Sequence, residues 1–514
     1  MLGLFIRFQV AQESLWIDEL HTAWVTGGSF SDVSQRAKIG NQTPVYFHLV
    51  FAAVQSLPGE RPAGPFSIRL VSLASGVGLI LAIGFLVWRW TGSFPAVLVA
   101  VAISALDPVF VFYATEARPY VLMQLFCVLQ VIAFFLCLRE TCAGQGGGLK
   151  FHCTVLIFAM TTALVVGTHV TGIWIVFAEL VWITATCRWQ KIGAPASAYI
   201  AGATLVLVFV AVGDPRELFS RRANWASLSS IPGLFQAWSG HLVLIGLATF
   251  AGAIGCVSKS GLTQSESEVE NNAAPDDAAV VSYRGLLLFA ACWCLAPLFC
   301  VSVLHFAGLP LALSRYTLIG VAGLPVICGL AIEAFQSRWL KFFVSAVLVV
   351  IFIYGNGLIT SWYLTAELPL LRTENWAAVI EKVNETDSRS TQPVFLLANL
   401  LEDVAARENT DPDFQDYLKF PVASIYELDS KQRQIVVCPT HVEPLSDADL
   451  QLLIERRGAW IIMRARAEDV SALLEELESR LIAELQSNGN SQNVSIELIP
   501  TFQPNDVSLI SISF

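Results

Sequence analysis

Apolar runs alternate with short polar connections through the first 364 of the 514 residues. A helix needs about 20 apolar residues to cross about 30 Å of hydrocarbon, and each run is close to that length. The runs cover residues 66–88, 94–113, 119–138, 151–167, 170–187, 196–212, 236–256, 285–305, 316–334 and 341–361. Residues 1–12 are apolar but too short to span, and we expect them to be the end of a further helix. The pattern predicts a polytopic α-helical membrane protein with about 11 transmembrane helices.

The pattern changes at residue 365, after which helical and extended periods alternate. Helical spacing is found in Asn375–Val383, Asp447–Arg457 and the amphipathic Asp469–Leu485. Short apolar strands are expected at Pro393–Ala398, Ile435–Cys438, Ala459–Met463, Val494–Ile499 and Val507–Phe514. We therefore predict two domains, a transmembrane domain over residues 1–364 and a soluble α/β domain over residues 365–514.

Two polar segments interrupt the transmembrane domain. Residues 13–65 are expected to form its first extracytoplasmic loop, and residues 257–284 a polar cytoplasmic loop. Within the first, the short apolar stretch 43–57 is expected to be a helix on the membrane surface. The alternative is that residues 43–57 form a shallow span, which would reverse the side of every later loop.

Charge distribution supports this orientation. The chain is 55% hydrophobic with a mean hydropathy of +0.60, which excludes an ordinary soluble protein. Residues 365–514 hold 25 acidic and 12 basic side chains, so the overall net charge of −11 originates there and indicates no nucleic-acid partner. The loops expected inside have the cleaner positive bias. We predict a multi-pass protein of the plasma membrane, the inner membrane of a bacterium, with its C-terminal domain extracytoplasmic.

Asp18 and Glu19 are adjacent acids directly after the first apolar segment. Neighbouring residues on a helix diverge by about 100°, so we expect the two carboxylates to do different work. One would face a substrate, while the other caps the helix, pairs with an arginine or helps to hold a divalent cation. His21, one turn after Asp18, would orient a carboxylate or face water. The alternative is an ordinary solvated pair of loop acids.

Three arginines lie at the predicted outer ends of three of these helices, Arg69, Arg118 and Arg315. Guanidinium groups bind phosphate oxygens in a bidentate manner, which makes these residues candidates for an anionic lipid headgroup. Arginines whose stems lie along the apolar surface are the alternative for any one of them. His169 lies at a predicted outer turn, where it is either a hydrogen-bonded structural residue or part of the same site.

An ordered set of short motifs resembles the GT-C glycosyltransferases of family 39, the type related to protein O-mannosyltransferases and the lipid A aminoarabinose transferase. The motifs are Asp18-Glu19, Thr43-Pro44-Val45-Tyr46, Ser67-Ile68-Arg69-Leu70-Val71-Ser72, Glu116-Ala117-Arg118-Pro119-Tyr120 and Arg315-Tyr316. The stretch from Arg372 to Ile380 also resembles the helix that follows the last span in bacterial members. In this chain Thr43 stands where many members have a proline.

The resemblance implies a GT-C fold and transfer of a sugar from a polyprenyl-phosphate donor to a lipid, glycan or protein acceptor on the outer face. Asp18 would be the catalytic base with Glu19 assisting it, and Arg69, Arg118 and Arg315 would bind the donor phosphate. Supporting roles fall to His21, Tyr46, Glu116, Tyr120, His169 and Tyr316. The other classes kept open are a lipid or sugar transporter, such as a flippase, and a catalytically silent homologue.

Overall fold

A computed structural model describes most of the chain. The described residues are 1–40, 42–57, 64–142, 148–186, 193–210, 229–262, 281–309, 311–355, 357–365, 372–386, 392–398, 400, 408–423, 425–426, 428, 433–439, 445–465, 467–487, 494–500 and 506–514. They fall into two compact units. The helical unit comprises Met1–Phe8, Asn41–Tyr46 and Val71–Pro369, and the mixed unit comprises Gln9–Gly40, Phe47–Leu70 and Leu370–Phe514.

The helices up to residue 365 follow the predicted apolar runs from residue 65 onward, whereas the earlier ones lie in the N-terminal stretch and the first predicted loop. They are α1 (Leu2–Val10), α2 (Ile17–Thr26), α3 (Phe30–Ile39), α4 (Pro44–Ser56), α5 (Pro65–Thr91), α6 (Phe94–Leu106), α7 (Pro108–Ala114), α8 (Tyr120–Cys142), α9 (Leu149–Thr168), α10 (Ile173–Ala185), α11 (Gly193–Val210), α12 (Ile231–Leu262), α13 (Tyr283–Phe306), α14 (Leu318–Glu333), α15 (Arg338–Gly355) and α16 (Leu358–Thr365). All ten predicted runs therefore contain helix. Residues 263–280 of the predicted 257–284 loop lie outside the described residues.

The protein is a polytopic helical membrane protein. Among the described residues, six helices are long and apolar enough to cross a membrane, and a seventh span results if α6 and α7 count as one. The six are α5, α8, α9, α12, α13 and α14 with the turn before it. The remaining predicted runs form α10, α11 and α15.

The bend between α6 and α7 shows how a break in an apolar helix is satisfied. The two helices meet at 58°, where Pro108 cannot continue the hydrogen-bond ladder and Asp107 caps the new helix through Val109 N at 2.9 Å. Arg7 is 2% exposed and donates to the carbonyl oxygens of Ser104 at 2.9 Å and Ala105 at 2.6 Å. Backbone groups freed in an apolar region need such internal partners.

A buried polar contact joins three helices of the helical unit. Glu179 on α10 is fully buried and accepts hydrogen bonds from Gln130 Nε2 on α8 at 3.0 Å and from the Tyr199 hydroxyl on α11. Polar contacts between membrane helices fix which faces meet, because apolar packing against lipid specifies little. We infer that this contact sets the register of α8, α10 and α11.

Glu179→Ala is expected to destabilise the helical unit by about 1–2 kcal/mol, since it leaves the Gln130 amide and the Tyr199 hydroxyl without their acceptor. Equilibrium unfolding in mixed micelles measures the change. Thr184→Ala on the same helix is the control, because the exposed Thr184 hydroxyl donates to Leu180 of its own helix. Equal stability of both variants would contradict the proposed role of Glu179.

The mixed unit contains a five-stranded sheet in the order β2-β1-β3-β5-β4. Its strands are β1 (Val394–Leu397), β2 (Ile435–Val437), β3 (Gly458–Met463), β4 (Ser495–Ile499) and β5 (Ser508–Ser513), and its later helices are α17 (Trp376–Thr386), α18 (Pro412–Ala423), α19 (Asp447–Glu455) and α20 (Ala467–Ser487). Strands β2, β1 and β3 are parallel, whereas β5 is antiparallel to β3 and β4. The predicted α/β character of the tail is confirmed, with all five expected strands present.

Core residues of the sheet follow its pairing register. Phe395, Ile461 and Ile510 lie in register on three neighbouring strands and are buried against Leu453 of α19 and Leu481 of α20. On the other face Leu396, Ile462 and Leu509 are equally buried. Burial on both faces explains why β1 and β3 are continuous apolar runs in the sequence.

The spatial grouping differs from chain order in one respect. Residues Gln9–Gly40 and Phe47–Leu70, which contain α2 and α3, belong to the same unit as the C-terminal sheet.

Helix α18 was not predicted from the sequence. Asp411-Pro412 is a helix-start signal, but Pro421 interrupts the helical pattern that follows it. Asp411 caps α18 by accepting from Asp413 N at 2.8 Å.

Candidate functional site

The first turn of α2 carries the predicted acid pair, and Glu19 is held by Arg69. Both side chains are fully buried. The Arg69 guanidinium forks onto the carboxylate, with Nε 2.8 Å from Oε1 and Nη2 2.5 Å from Oε2. A bidentate pair of this kind is among the stronger charged contacts in proteins.

The other N–H groups of Arg69 bind the backbone before α2. They donate to the carbonyl oxygens of Ala11 at 3.0 Å, Glu13 at 2.6 Å and Ser14 at 3.0 Å. All three guanidinium nitrogens therefore have partners inside the mixed unit. Arg69 fixes the path of the chain into α2.

A second arginine reaches the same carboxylate. Arg372 Nε lies 3.3 Å from Glu19 Oε2, and its Nη1 lies 3.3 Å from Glu13 Oε2. Glu19 thus lies between two guanidinium groups, which satisfy its charge in a buried position. Glu19, the second acid of the predicted pair, therefore pairs with two arginines.

Arg69→Gln is expected to lower the free energy of unfolding of the mixed unit by about 3–5 kcal/mol, because a buried carboxylate loses its bidentate partner. Denaturant titration followed by tryptophan fluorescence measures the loss. Arg480→Gln is the matched control in the same unit, since Arg480 pairs at 3.4 Å with an Asp447 that is 92% exposed. A stability of Arg69→Gln equal to that of the control would show that the buried pair contributes nothing.

Asp18 and His21, on the same helix, have different surroundings. Asp18 is partly exposed, whereas His21 is 4% exposed and surrounded by aromatic rings. The ring centroids of Phe47 and Tyr417 lie 5.7 and 5.4 Å from that of His21. At Gly40 an added Cβ would lie 2.1 Å from His21 Nε2, so only glycine leaves room for this ring. His21 is therefore packed tightly among aromatic rings and Gly40.

The remaining predicted residues belong to the helical unit, where Arg118 lies in the turn between α7 and α8. Its backbone N–H donates to the Glu116 carbonyl at 2.8 Å, and its own carbonyl accepts from Ser72 Oγ at 3.4 Å. Ser72 in turn shares a 2.8 Å hydrogen bond with the buried Tyr46 hydroxyl. Arg118 is 6% exposed and Glu116 2% exposed. Tyr46 and Ser72 thus support the turn that holds Arg118.

Aromatic rings and positive charge surround His169 at the turn between α9 and α10. The ring centroids of Tyr120 and Tyr316 lie 5.3 and 6.0 Å from that of His169. Arg315 lies over the Tyr316 ring, with Cζ 5.6 Å from the centroid. Burial first, and then the charges of Arg118 and Arg315, lower the pKa of His169 to about 3. The structure therefore brings five predicted site residues of the helical unit together.

The hydrogen bonds of His169 fix its tautomer. Thr171 N–H donates to Nδ1 at 3.3 Å, so the neutral ring carries its proton on Nε2. A neutral imidazole with a donor at Nε2 adds a hydrogen-bond donor to the two guanidinium groups without adding a third charge. Such a group of donors is suited to an anion with several oxygen atoms.

His169 is expected to stay neutral from pH 5 to 8, because burial, and then the charges of Arg118 and Arg315, lower the pKa of its ring. NMR of protein labelled at the histidine ring, with His169→Gln to assign the signal, measures its titration. Arg118→Gln tests whether the Arg118 charge lowers the pKa of His169. The substitution removes one repelling charge and should raise that pKa. A titration midpoint between pH 5 and 8 in the unaltered protein would contradict this charge arrangement.

Metal binding is not visible in the described part of the chain, where no three His, Cys, Asp or Glu side chains are grouped to hold an ion. The cation role suggested for Asp18 and Glu19 stays a prediction.

Sequence reasoning missed several charged residues that the structure makes prominent. Arg7 was taken only as part of the N-terminal stretch, Glu13 as the start of the first predicted loop, and Glu179 as part of an apolar run. Each is a charged residue within or beside an apolar segment, which is a usable signal because such residues seldom lack a role. Arg372 was noted only as part of the motif before the C-terminal helix. Its ion pairs with Glu13 and Glu19 could not be predicted, because these residues are far from it in the chain.

These units define a class of membrane protein with apolar helical spans and a C-terminal mixed α/β region. The chain is similar in fold to the crystal structure of ArnT from Cupriavidus metallidurans bound to undecaprenyl phosphate, with a TM-score of 0.54 and 12% sequence identity. The match covers 99% of this chain and 96% of that one. The resemblance predicted from the sequence is confirmed at the level of the fold.

The crystal structure of ArnT from the same organism in the apo state also matches, with a TM-score of 0.41, 12% identity, and the same coverage of 99% and 96%. No protein-family profile and no curated protein matches the chain.

Proposed function

We propose that this protein is a membrane glycosyltransferase that moves a sugar from a polyprenyl-phosphate donor to an acceptor hydroxyl on the extracytoplasmic face. The observation that carries the proposal is the cluster around His169 in an apolar helical unit, where Tyr120 and Tyr316 lie against its ring and the charges of Arg118 and Arg315 act on it. Charges are costly in such surroundings and are typical of functional sites. The fold shared with an ArnT crystal structure that contains undecaprenyl phosphate supports the ligand class.

Arg118 and Arg315 would bind the donor phosphate. Guanidinium groups form bidentate contacts with phosphate oxygens and stabilise the charge that develops as the phosphate leaves. His169 would donate from Nε2, while Tyr120 and Tyr316 hold its ring. Glu116 and Tyr46 would support the Arg118 turn.

Asp18 would accept the proton of the acceptor hydroxyl. The acceptor oxygen would form a bond to the anomeric carbon while the bond from that carbon to the phosphate oxygen breaks, with inversion of configuration. The leaving polyprenyl phosphate needs little protonation at neutral pH, so one carboxylate base is enough. A glycosidase, in contrast, needs two carboxyl groups.

Glu19 and Arg69 would position Asp18. Because the guanidinium of Arg69 is occupied by Glu19 and by three backbone carbonyl groups, we assign it to the chain leading into α2 and leave the phosphate to Arg118 and Arg315. This modifies the role expected for Arg69 from the sequence.

Asp18→Asn is expected to lower the transfer rate by about 10²–10⁴-fold, the typical contribution of a general base, with donor binding nearly intact.

Arg118→Ala should instead weaken donor binding, since it removes a phosphate contact. Both are measured on purified protein with a labelled polyprenyl-phosphate sugar, by product formation and by equilibrium binding. Arg338→Ala on α15 serves as an exposed basic control.

The same assay distinguishes a glycosyltransferase from the two other classes of protein kept open, a transporter and a catalytically silent homologue. Movement of the donor across a vesicle membrane without transfer would identify a transporter or flippase, and neither transfer nor movement would favour a silent homologue. Unchanged turnover by Asp18→Asn in an active preparation would remove Asp18 as the base. Mass spectrometry of surface glycoconjugates with and without the protein would then identify the sugar and the acceptor.

A further inference from the structure

Helix α2 begins without a side-chain cap of its own. Trp16 occupies the N-cap position, and its side chain has no oxygen to accept the first backbone N–H groups of the helix. Glu19 accepts from Trp16 N at 3.4 Å, which leaves the N–H of Ile17 to be satisfied elsewhere. The acceptor is Glu374 Oε2, 2.9 Å away and 357 residues later in the chain.

Glu374 is itself held firmly. It is 6% exposed, and its Oε1 accepts from Arg464 Nε at 2.7 Å while Oε2 also accepts from Trp376 Nε1 at 3.0 Å. Arg464 directly follows β3, and its backbone N–H donates to the carbonyl of Leu397 in β1 at 3.0 Å. A continuous series of hydrogen bonds thus leads from the sheet to the first turn of α2.

The ion pairs around this turn balance in charge. Three arginines and three glutamates take part, namely Arg69, Arg372, Arg464, Glu13, Glu19 and Glu374. A buried group of charges is stable only when it is paired and hydrogen-bonded, so each member restricts where the others lie. Glu374 further places a negative charge at the positive end of the α2 dipole, which favours the observed start of the helix.

We propose that Glu374, held by Arg464, is a positioning residue that orients the first turn of α2 and thereby the carboxylate of Asp18. This rests on the proposed function, in which Asp18 is the base. The segment after the last membrane helix then has a defined task, to supply the cap that α2 lacks. A displacement of about 1 Å at a reacting group can lower a rate by about 10²-fold, so the cap matters for turnover.

Two variants of the full-length protein test this. Glu374→Ala removes the acceptor, and the isosteric Glu374→Gln keeps one acceptor oxygen. We expect kcat to fall about 10–100-fold in Glu374→Ala and less in Glu374→Gln, with the donor KM within about twofold of the unaltered value. Hydrogen–deuterium exchange should become faster in residues 15–22 and stay unchanged in β3. Asp447→Asn, which alters an exposed ion pair of the same unit, should change neither.

Turnover and hydrogen–deuterium exchange test the proposed function and the role of Glu374 separately. If the unaltered protein transfers no sugar, the proposed function fails, and faster exchange in residues 15–22 still supports the cap. Unchanged exchange there in Glu374→Ala overturns the positioning role even in an active enzyme, as does an unchanged kcat. If Glu374→Ala also loses protection in β3, Glu374→Gln decides. A lowered kcat with β3 intact supports the proposal, and an unchanged kcat refutes it.

Discussion

The buried pair of Arg69 and Glu19 is the interaction on which the mixed unit depends. Both side chains are fully excluded from solvent, and removing two charges from water costs several kcal/mol for each ion. The cost is offset only if nearly every donor and acceptor of the pair is used, as here, by a forked contact, three backbone carbonyl groups and the guanidinium of Arg372. Such a contact tolerates one arrangement of the chain before α2.

Arg69, Arg118 and Arg315 have similar sequence contexts, at the starts of apolar helices, but different surroundings in the structure. Arg69 is saturated by protein groups, whereas Arg118 and Arg315 act on the pKa of His169 from beside aromatic rings. The sequence shows each simply as an arginine at the start of an apolar helix. The distinction arises from the partners, and it leads us to assign structural work to one arginine and phosphate binding to the other two.

What could be predicted from the sequence follows from local physics. Apolar length marked all ten helical runs, and alternation with turn residues marked the five strands, because both patterns depend on near neighbours in the chain. The capping of α2 by Glu374 could not be predicted, since it joins residues 357 positions apart. Helix α18 was missed because Pro421 breaks the local pattern, and the aromatic rings around His21 could not be predicted because Phe47 and Tyr417 are distant from it in the chain.

The low identity to ArnT fits this division between local and long-range information. Membrane helices exchange one apolar residue for another at little cost, because lipid rewards hydrophobicity more than shape, so a shared fold is compatible with 12% identity. Polar clusters obey a stricter rule, since a buried charge without its partner is unstable. The chemistry of this protein must therefore be argued from its own clusters at Glu19 and at His169. Within the first, Glu374 links the start of α2 to residues beyond the last membrane helix, so the tail and the acid pair are constrained together.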